Sequence, residues 1–246
     1  MKKLFFAFAA SLAFASSAQA VETRFSAMVS DIDTGFILTA DRIDSPRSPA
    51  LLGRLATMSM AIQDVADGSI SNGEVIKIGR RSTATMHEAL QMTALGEDGY
   101  RAHMTGLVNR VGQNAHLFEL RLDAIGDMAG LQATAMRVVR GSDGGPAFEG
   151  YTTPRDMMRM AVSVSRAFPQ AIDTAFAKAT GDITSTHLWL YQDGMCLLSA
   201  DGPLSGRALA ALITGAPDQG DCLEAAAEMI SRDDARILEA RRDKRR

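Results

Sequence analysis

Apolar and polar positions change period several times along the chain, and each change marks an element. Phe25-Ser26-Ala27-Met28-Val29-Ser30 and Phe36-Ile37-Leu38-Thr39 are β-prone runs flanking Asp31-Ile32-Asp33-Thr34-Gly35, whose turn chemistry predicts a hairpin. Asp41 to Pro49 carries two prolines and reads as a loop. From Ala50 to Ala66 the apolar residues Leu52, Leu55, Ala56, Met58, Ile62 and Val65 recur at helical spacing, and Gly68 ends the run. Val75 to Ile78 is a short strand, His87–Leu95 and Gly106–Val111 are helix fragments, and Ala115–Met128 is an amphipathic helix built on Leu117, Phe118, Leu120, Leu122 and Ile125.

Gly141 to Pro146 is a loop. Thr152-Thr153-Pro154-Arg155-Asp156 then opens a further helix that runs to about Phe168, because a threonine cap followed by proline in the first turn is a helix start. His187–Tyr191 and Met195–Ser199 flank an Asp193-Gly194 turn and form a second hairpin. Leu209–Thr214 is either a third strand or a short helix, and Cys222–Ala240 is a closing amphipathic helix with Leu223, Ile230 and Ile237 on one stripe. Strands near both ends with helices between them predict one sheet drawn from both termini, covering a helical cluster. Internal repeats are absent, and no linker is long enough to separate two domains.

At 246 residues, with 46% hydrophobic and 22% charged residues, the chain has enough apolar mass for one sizeable core and is not a disordered sequence. A net charge of -3 argues against nucleic acid as the main partner, because phosphate neutralisation needs a basic face. The first twenty residues stand apart: a basic start at Lys2-Lys3, an apolar run from Leu4 to Phe14, and the small-x-small pattern Ala18-Gln19-Ala20. They read as an export signal cleaved after Ala20, which places the chain in the periplasm or otherwise outside the cytoplasm, with 21–240 as a single domain and 241–246 as a basic tail. No apolar stretch is long enough for a conventional membrane span. In an oxidising compartment Cys196 and Cys222 make one disulfide by the simplest reading, two buried thiols being the alternative. His87, His103, His116 and His187 have no metal-ligand spacing, so neither a metal nor a cofactor is indicated.

Several segments, in order, resemble landmarks of the serine D-alanyl-D-alanine carboxypeptidases, the small penicillin-binding proteins that trim peptidoglycan stem peptides. Asp31-Ile32-Asp33-Thr34-Gly35-Phe36-Ile37-Leu38 is similar to the family's opening D-x-x-T-G-x-x-L hairpin. Pro46-Arg47-Ser48-Pro49-Ala50 resembles the approach to its catalytic helix, which continues at Ala56-Thr57, and Asp127-Met128-Ala129-Gly130-Leu131 is like its E-L-G-M helix end. Tyr151 to Met157 is similar to its Y-S-T-A-R-D-L stretch, and Gly194 to Ala200 to its G-Y-C-L-V-A-S strand. The resemblance implies a β-lactamase/transpeptidase-like α/β (α+β) fold, an antiparallel sheet from both chain ends with a helical cluster.

The same resemblance implies three catalytic motifs, and their expected positions hold other residues. The serine and lysine of S-x-x-K fall on Leu51 and Arg54. Leucine has no hydroxyl to acylate, and arginine stays protonated where a lysine can accept a proton. S-x-N falls on Gly96-Glu97-Asp98; the rival placement, Gly112-Gln113-Asn114, leaves too little chain before Gly130-Leu131. K-T-G falls on Thr186-His187-Leu188, and Lys178-Ala179-Thr180-Gly181 is only an imperfect echo. The family's C-terminal β-domain and amphipathic membrane anchor are expected to be absent, because little sequence follows Cys222. The expectation is a non-catalytic module that binds a peptidoglycan peptide or an envelope protein through the old cleft, with Arg54, Asp98 and His187 as candidate ligand residues. The competing expectation is a working carboxypeptidase.

Other candidates have plainer readings. Ser48, before the helix, reads as a cap rather than a displaced nucleophile. Arg54 is either an anion ligand or a partly exposed helix arginine. Arg241 to Arg246 reads as a solvated helix end whose cations suit the macrodipole, weak contact with anionic lipid being the alternative.

Overall fold

The computed structural model describes residues 25–95, 100–112, 115–142, 144–167 and 186–243. The expected leader, the Gly96–Asp98 and Gln113–Asn114 placements, the Lys178–Gly181 echo, Phe168 and the last three residues lie outside them. Among the described residues the order is β1 (Ser26–Asp31), β2 (Ile37–Asp41), α1 (Ala50–Ala66), β3 (Val75–Lys77), β4 (Thr83–Thr85), α2 (Met86–Leu95), α3 (Tyr100–Gly112), α4 (Ala115–Ala129), β5 (Ala135–Arg140), β6 (Pro146–Tyr151), α5 (Pro154–Ala167), β7 (Thr186–Gln192), β8 (Met195–Asp201), β9 (Ala208–Thr214) and α6 (Gln219–Asp243). No helix among them is long and apolar enough to cross a membrane.

One antiparallel sheet, ordered β2-β1-β9-β8-β7, joins strands from both ends of the chain as the patterning predicts. Its two faces alternate along every strand. Met28, Leu188, Leu190, Leu197, Ala210 and Leu212 face the helical cluster, whereas Ala27, Val29, Trp189, Leu198, Ala211 and Ile213 face α6. β9 lies between β1 and β8 and is buried on both faces, so the Leu209–Thr214 run resolves as a central strand. At the β7–β8 turn Asp193 and Gly194 both have positive φ, 52° and 72°, the backbone that a two-residue hairpin requires.

The helical layer is built around α1, whose residues from Leu51 to Ile62 are buried on every side. The helix was expected from the apolar spacing, and its burial all round has a physical reason. The hydroxyls of Thr57 and Ser59 donate to the Gly53 and Leu55 carbonyls one turn back, at 2.8 and 2.7 Å, so these polar residues enter the core already satisfied. Two arginines fasten other elements around this helix. Arg121 of α4 reaches Asp64 of α1 with both terminal nitrogens, at 2.6 and 2.9 Å, and also the Val111 carbonyl of α3 at 2.6 Å. Arg47 donates to Ser26 Oγ at 2.6 Å and Thr214 Oγ1 at 3.2 Å, while its main chain pairs with Thr152. The approach to α1 is thereby tied to the sheet and to the start of α5.

Other departures are local. β4 and the β5–β6 hairpin were not expected, and α3 begins six residues before Gly106. On α4 the buried stripe is Phe118, Leu122 and Ile125, while Leu120 points outward. Thr153 accepts the Asp156 N–H at 3.2 Å and caps α5 as predicted. The Asp156 carboxylate takes the N–H groups of Gln132 and Ala133 and the Thr134 hydroxyl, pinning the end of α4 to the start of α5. α6 runs on to Asp243, so Arg241 and Arg242 form its exposed last turn rather than a separate tail.

Cys196 of β8 and Cys222 of α6 are joined in a disulfide with a Cα–Cα distance of 6.1 Å, stapling the outer helix to the sheet. Closing a loop with a sequence separation of 26 removes unfolded-state freedom equivalent to about 3.5 kcal/mol. Replacing both cysteines by alanine is therefore expected to lower the urea-unfolding free energy by about that amount. Dithiothreitol should do the same to the wild type and leave the double variant unchanged.

Candidate functional site

The N-terminal turns of α1 are set by local chemistry. Pro49 precedes the first helical residue and accepts the Gly53 N–H at 2.8 Å, while the Ala50 N–H points at Ser48 Oγ at 3.4 Å. Pro49 holds the cap position and no side-chain cap hydrogen bond forms there, so the expected Ser48 cap gives way to this long contact from the residue before it. Leu51 follows, fully buried in the main core cluster. Gly53 lies beneath the Phe148 ring of the β5–β6 hairpin so closely that a Cβ there would fall 2.3 Å from the ring.

Arg54 is 1% exposed, which excludes the partly exposed reading of it. Its Nε donates to the Thr93 carbonyl and its Nη1 to the Tyr191 carbonyl at 2.8 Å, and the guanidinium lies 4.6 Å from the centre of the Tyr100 ring. Each partner has a physical reason to accept it. Thr93 is in the last turn of α2, where carbonyls lack helical partners and the dipole is negative. Tyr191 is on β7, an edge strand whose outer carbonyls need an external donor. The Tyr100 ring offers the negative face of its π-system. Burial pulls the Arg54 pKa down to about 10, with Tyr100 acting in the opposite direction, so the group remains a cation at neutral pH.

The ends of α2 and β7 and the start of α3 therefore converge on α1 through one buried cation. Thr93 and Tyr100 bracket Gly96 and Asp98, which lie outside the described residues. Thr186 pairs with Ala200 across the sheet, and the bulge between Thr186 and Leu188 takes up His187. The strand residue that reaches the junction is Tyr191, beyond both of them. Of the expected ligand residues, the structure brings Arg54 to the junction and spends its donors on main-chain carbonyls. Sequence reasoning missed Thr93, Tyr100, Tyr191 and Phe148. Only Phe148 left a signal, as an aromatic between the Gly141–Pro146 turn and Tyr151. The Thr93 hydroxyl is itself buried without a hydrogen-bond partner among the described residues.

This arrangement of a mixed-origin antiparallel sheet, a buried central helix and a junction at its N-terminal turns is the β-lactamase/transpeptidase-like fold. The chain is similar to the D-alanyl-D-alanine carboxypeptidase DacD from Francisella tularensis, with 14% identity and a TM-score of 0.64 over 83% of this chain and 68% of that one. It is also similar to penicillin-binding protein D2 from Listeria monocytogenes in its ampicillin-bound form, with 12% identity and a TM-score of 0.64 over 85% and 96% of the two chains. A peptidoglycan synthesis regulatory factor (PBP3) from Streptococcus pneumoniae matches with 15% identity and a TM-score of 0.63 over 83% and 77%. No protein-family model and no curated protein sequence matches the chain.

Two substitutions test the junction. Arg54→Met leaves two buried carbonyls without their donor and is expected to destabilise the fold by about 2–4 kcal/mol in urea titration; Arg54→Lys should lose somewhat less, because one ammonium cannot serve two carbonyls and a ring with the arginine's planar fork. Gly53→Ala forces Phe148 off α1, for an expected loss of about 1–3 kcal/mol that Gly53→Ala with Phe148→Ala should partly recover, read from the same titrations.

Proposed function

We propose that this protein is a non-catalytic counterpart of the D-alanyl-D-alanine carboxypeptidases, exported from the cytoplasm and serving as a binding or regulatory module for a peptidoglycan peptide or an envelope protein. One observation carries the reading. Where a resembling S-x-x-K would supply nucleophile and proton acceptor, this chain has a buried aliphatic side chain, Leu51, and a guanidinium held by two carbonyls and a ring at Arg54. A leucine cannot form an acyl-enzyme. A cation with a pKa of about 10 cannot take a proton at neutral pH.

The other two motif positions point the same way, with Gly96 and Asp98 in place of S-x-N and Thr186-His187-Leu188 in place of K-T-G. Asp98 and His187 remain the candidates for ligand contact on the sequence resemblance alone. Export draws support from the N-terminal signal pattern ending at Ala20 and from the Cys196–Cys222 disulfide, which persists in an oxidising compartment. The exposed Arg241 and Arg242 suit a weak contact with an anionic membrane surface. A regulatory role on this fold has a parallel in the name of the pneumococcal factor. A shared fold does not by itself carry the chemistry with it.

Incubation with fluorescent penicillin is expected to give no covalent label, and a D-alanyl-D-alanine pentapeptide is expected to release no D-alanine above the buffer rate. Calorimetry with soluble peptidoglycan fragments should show binding without turnover. A label that disappears when a single serine is changed, or steady D-alanine release, overturns the reading.

A further inference from the structure

Away from the junction, at the opposite side of the sheet, a groove of about 550 Å³ runs between α5 and the β1–β2 hairpin, closed at one end by the last turn of α4. One face of α5 supplies Arg155, Arg159, Ser163 and Arg166 to it, spaced so that each lies about one turn beyond the last. Met128 at the α4 end and Ile37 on β2 add apolar surface that reaches solvent, Met128 being 68% exposed. The groove is lined by three arginines and no carboxylate, on a protein whose net charge is -3.

The arginines are held but not all neutralised. Arg155 pairs with Asp44 at 2.6 Å, and Arg159 donates to Asp156 at 3.1 Å and to the Gly130 carbonyl at 3.0 Å. Arg166 is fixed by the carbonyls of Ile32 at 2.6 Å and Asp33 at 2.9 Å, a hold that orients the guanidinium without cancelling its charge. Asp44 and Asp156 offset the charges of Arg155 and Arg159 from behind, so the uncompensated charge beside the apolar surface is that of Arg166. From Arg155 to Arg166 the helix rises about 16 Å, the length of roughly five extended residues. The rise of about 10 Å from Arg159 to Arg166 falls between the spacings of side chains two and four residues apart on a strand, about 7 and about 13 Å, within the reach of arginine side chains.

We propose that this groove is a docking site for an extended acidic peptide segment of a partner protein, with its carboxylates on Arg159 and Arg166 and an apolar side chain against Met128 and Ile37. Charge complementarity selects the occupant: bidentate guanidinium–carboxylate contacts supply register, and the apolar wall supplies the area. The inference goes beyond the reading of the junction and does not rest on it. Penicillin acylation at the junction would overturn that reading and leave this one standing.

Fluorescence anisotropy of the full chain with a fluorescein-labelled hexapeptide of alternating glutamate and valine is the test. Saturable binding is expected, weakened at least about fivefold between about 50 and about 300 mM salt, as exposed charge pairs are. Met128→Glu, at an exposed position, should weaken binding at least about tenfold with an unchanged melting curve, and Arg159→Gln should weaken it comparably. The same peptide with lysine for glutamate should not bind. Absent binding, equal binding of the lysine peptide, or affinity indifferent to Met128→Glu overturns the proposal. So does concentration-dependent self-association abolished by Met128→Glu, which would give the groove to a second copy of the chain.

Discussion

A positive charge enclosed at 1% exposure has to be satisfied, and the Arg54 guanidinium is satisfied by elements far apart in the chain. Removing such an ion from water is costly, and the cost is offset only when donors meet acceptors in good geometry. Here the acceptors are the frayed end of a helix and the outer rim of an edge strand, with a tyrosine ring alongside. Each would otherwise be an unsatisfied group at a helix–sheet seam. The cation therefore fixes where α2, α3 and β7 end up relative to α1.

Around that point α1 acts as the axle of the helical layer. Its neighbours attach through main-chain acceptors and paired charges rather than through shape alone: Arg121 binds Asp64 and the end of α3, Arg47 ties the entry loop to β1 and β9, and Asp156 gathers the α4–β5 connection. On the far face the disulfide and Asp234 do the same for α6, the latter by accepting the N–H groups of Leu204 and Ser205 from the β8–β9 connection. The scaffold is thus held by hydrogen bonds and ion pairs spread over the elements around α1.

How far this was legible in the sequence depended on whether a residue's role is written in its own neighbourhood. Hairpin turns were legible because Asp193-Gly194 and Gly35 are demanded by backbone conformation alone. The start of α5 was legible because Thr153 and Pro154 act within one turn. β9 was ambiguous because a strand buried on both faces shows no alternation, and its run of small apolar residues suits a helix equally well. The β5–β6 hairpin escaped notice because its strands are half-exposed and Val138-Val139 interrupts the alternation. The burial of Arg54 was not legible at all: its hydrogen-bond acceptors are carbonyls, which any residue type carries, at sequence separations of 39 and 137.

Two sets of arginines use the same chemistry in opposite ways. Arg54 faces inward and meets carbonyls and a ring, so its donors hold the fold together. Arg155, Arg159 and Arg166 lie along one face of α5, held from behind so that their planes are ordered while their charge faces a groove. For Arg166, held by carbonyls alone, order without neutralisation is the condition under which a guanidinium recognises a carboxylate at small entropic cost. The spacing was readable in the sequence once α5 was known to turn that side outward. Its methionines, Met157, Met158 and Met160, are the buried side, so α5 is amphipathic with cations where a solvent-facing helix ordinarily mixes both signs. A helix that anchors the core with one face and concentrates one charge on the other separates stability from recognition.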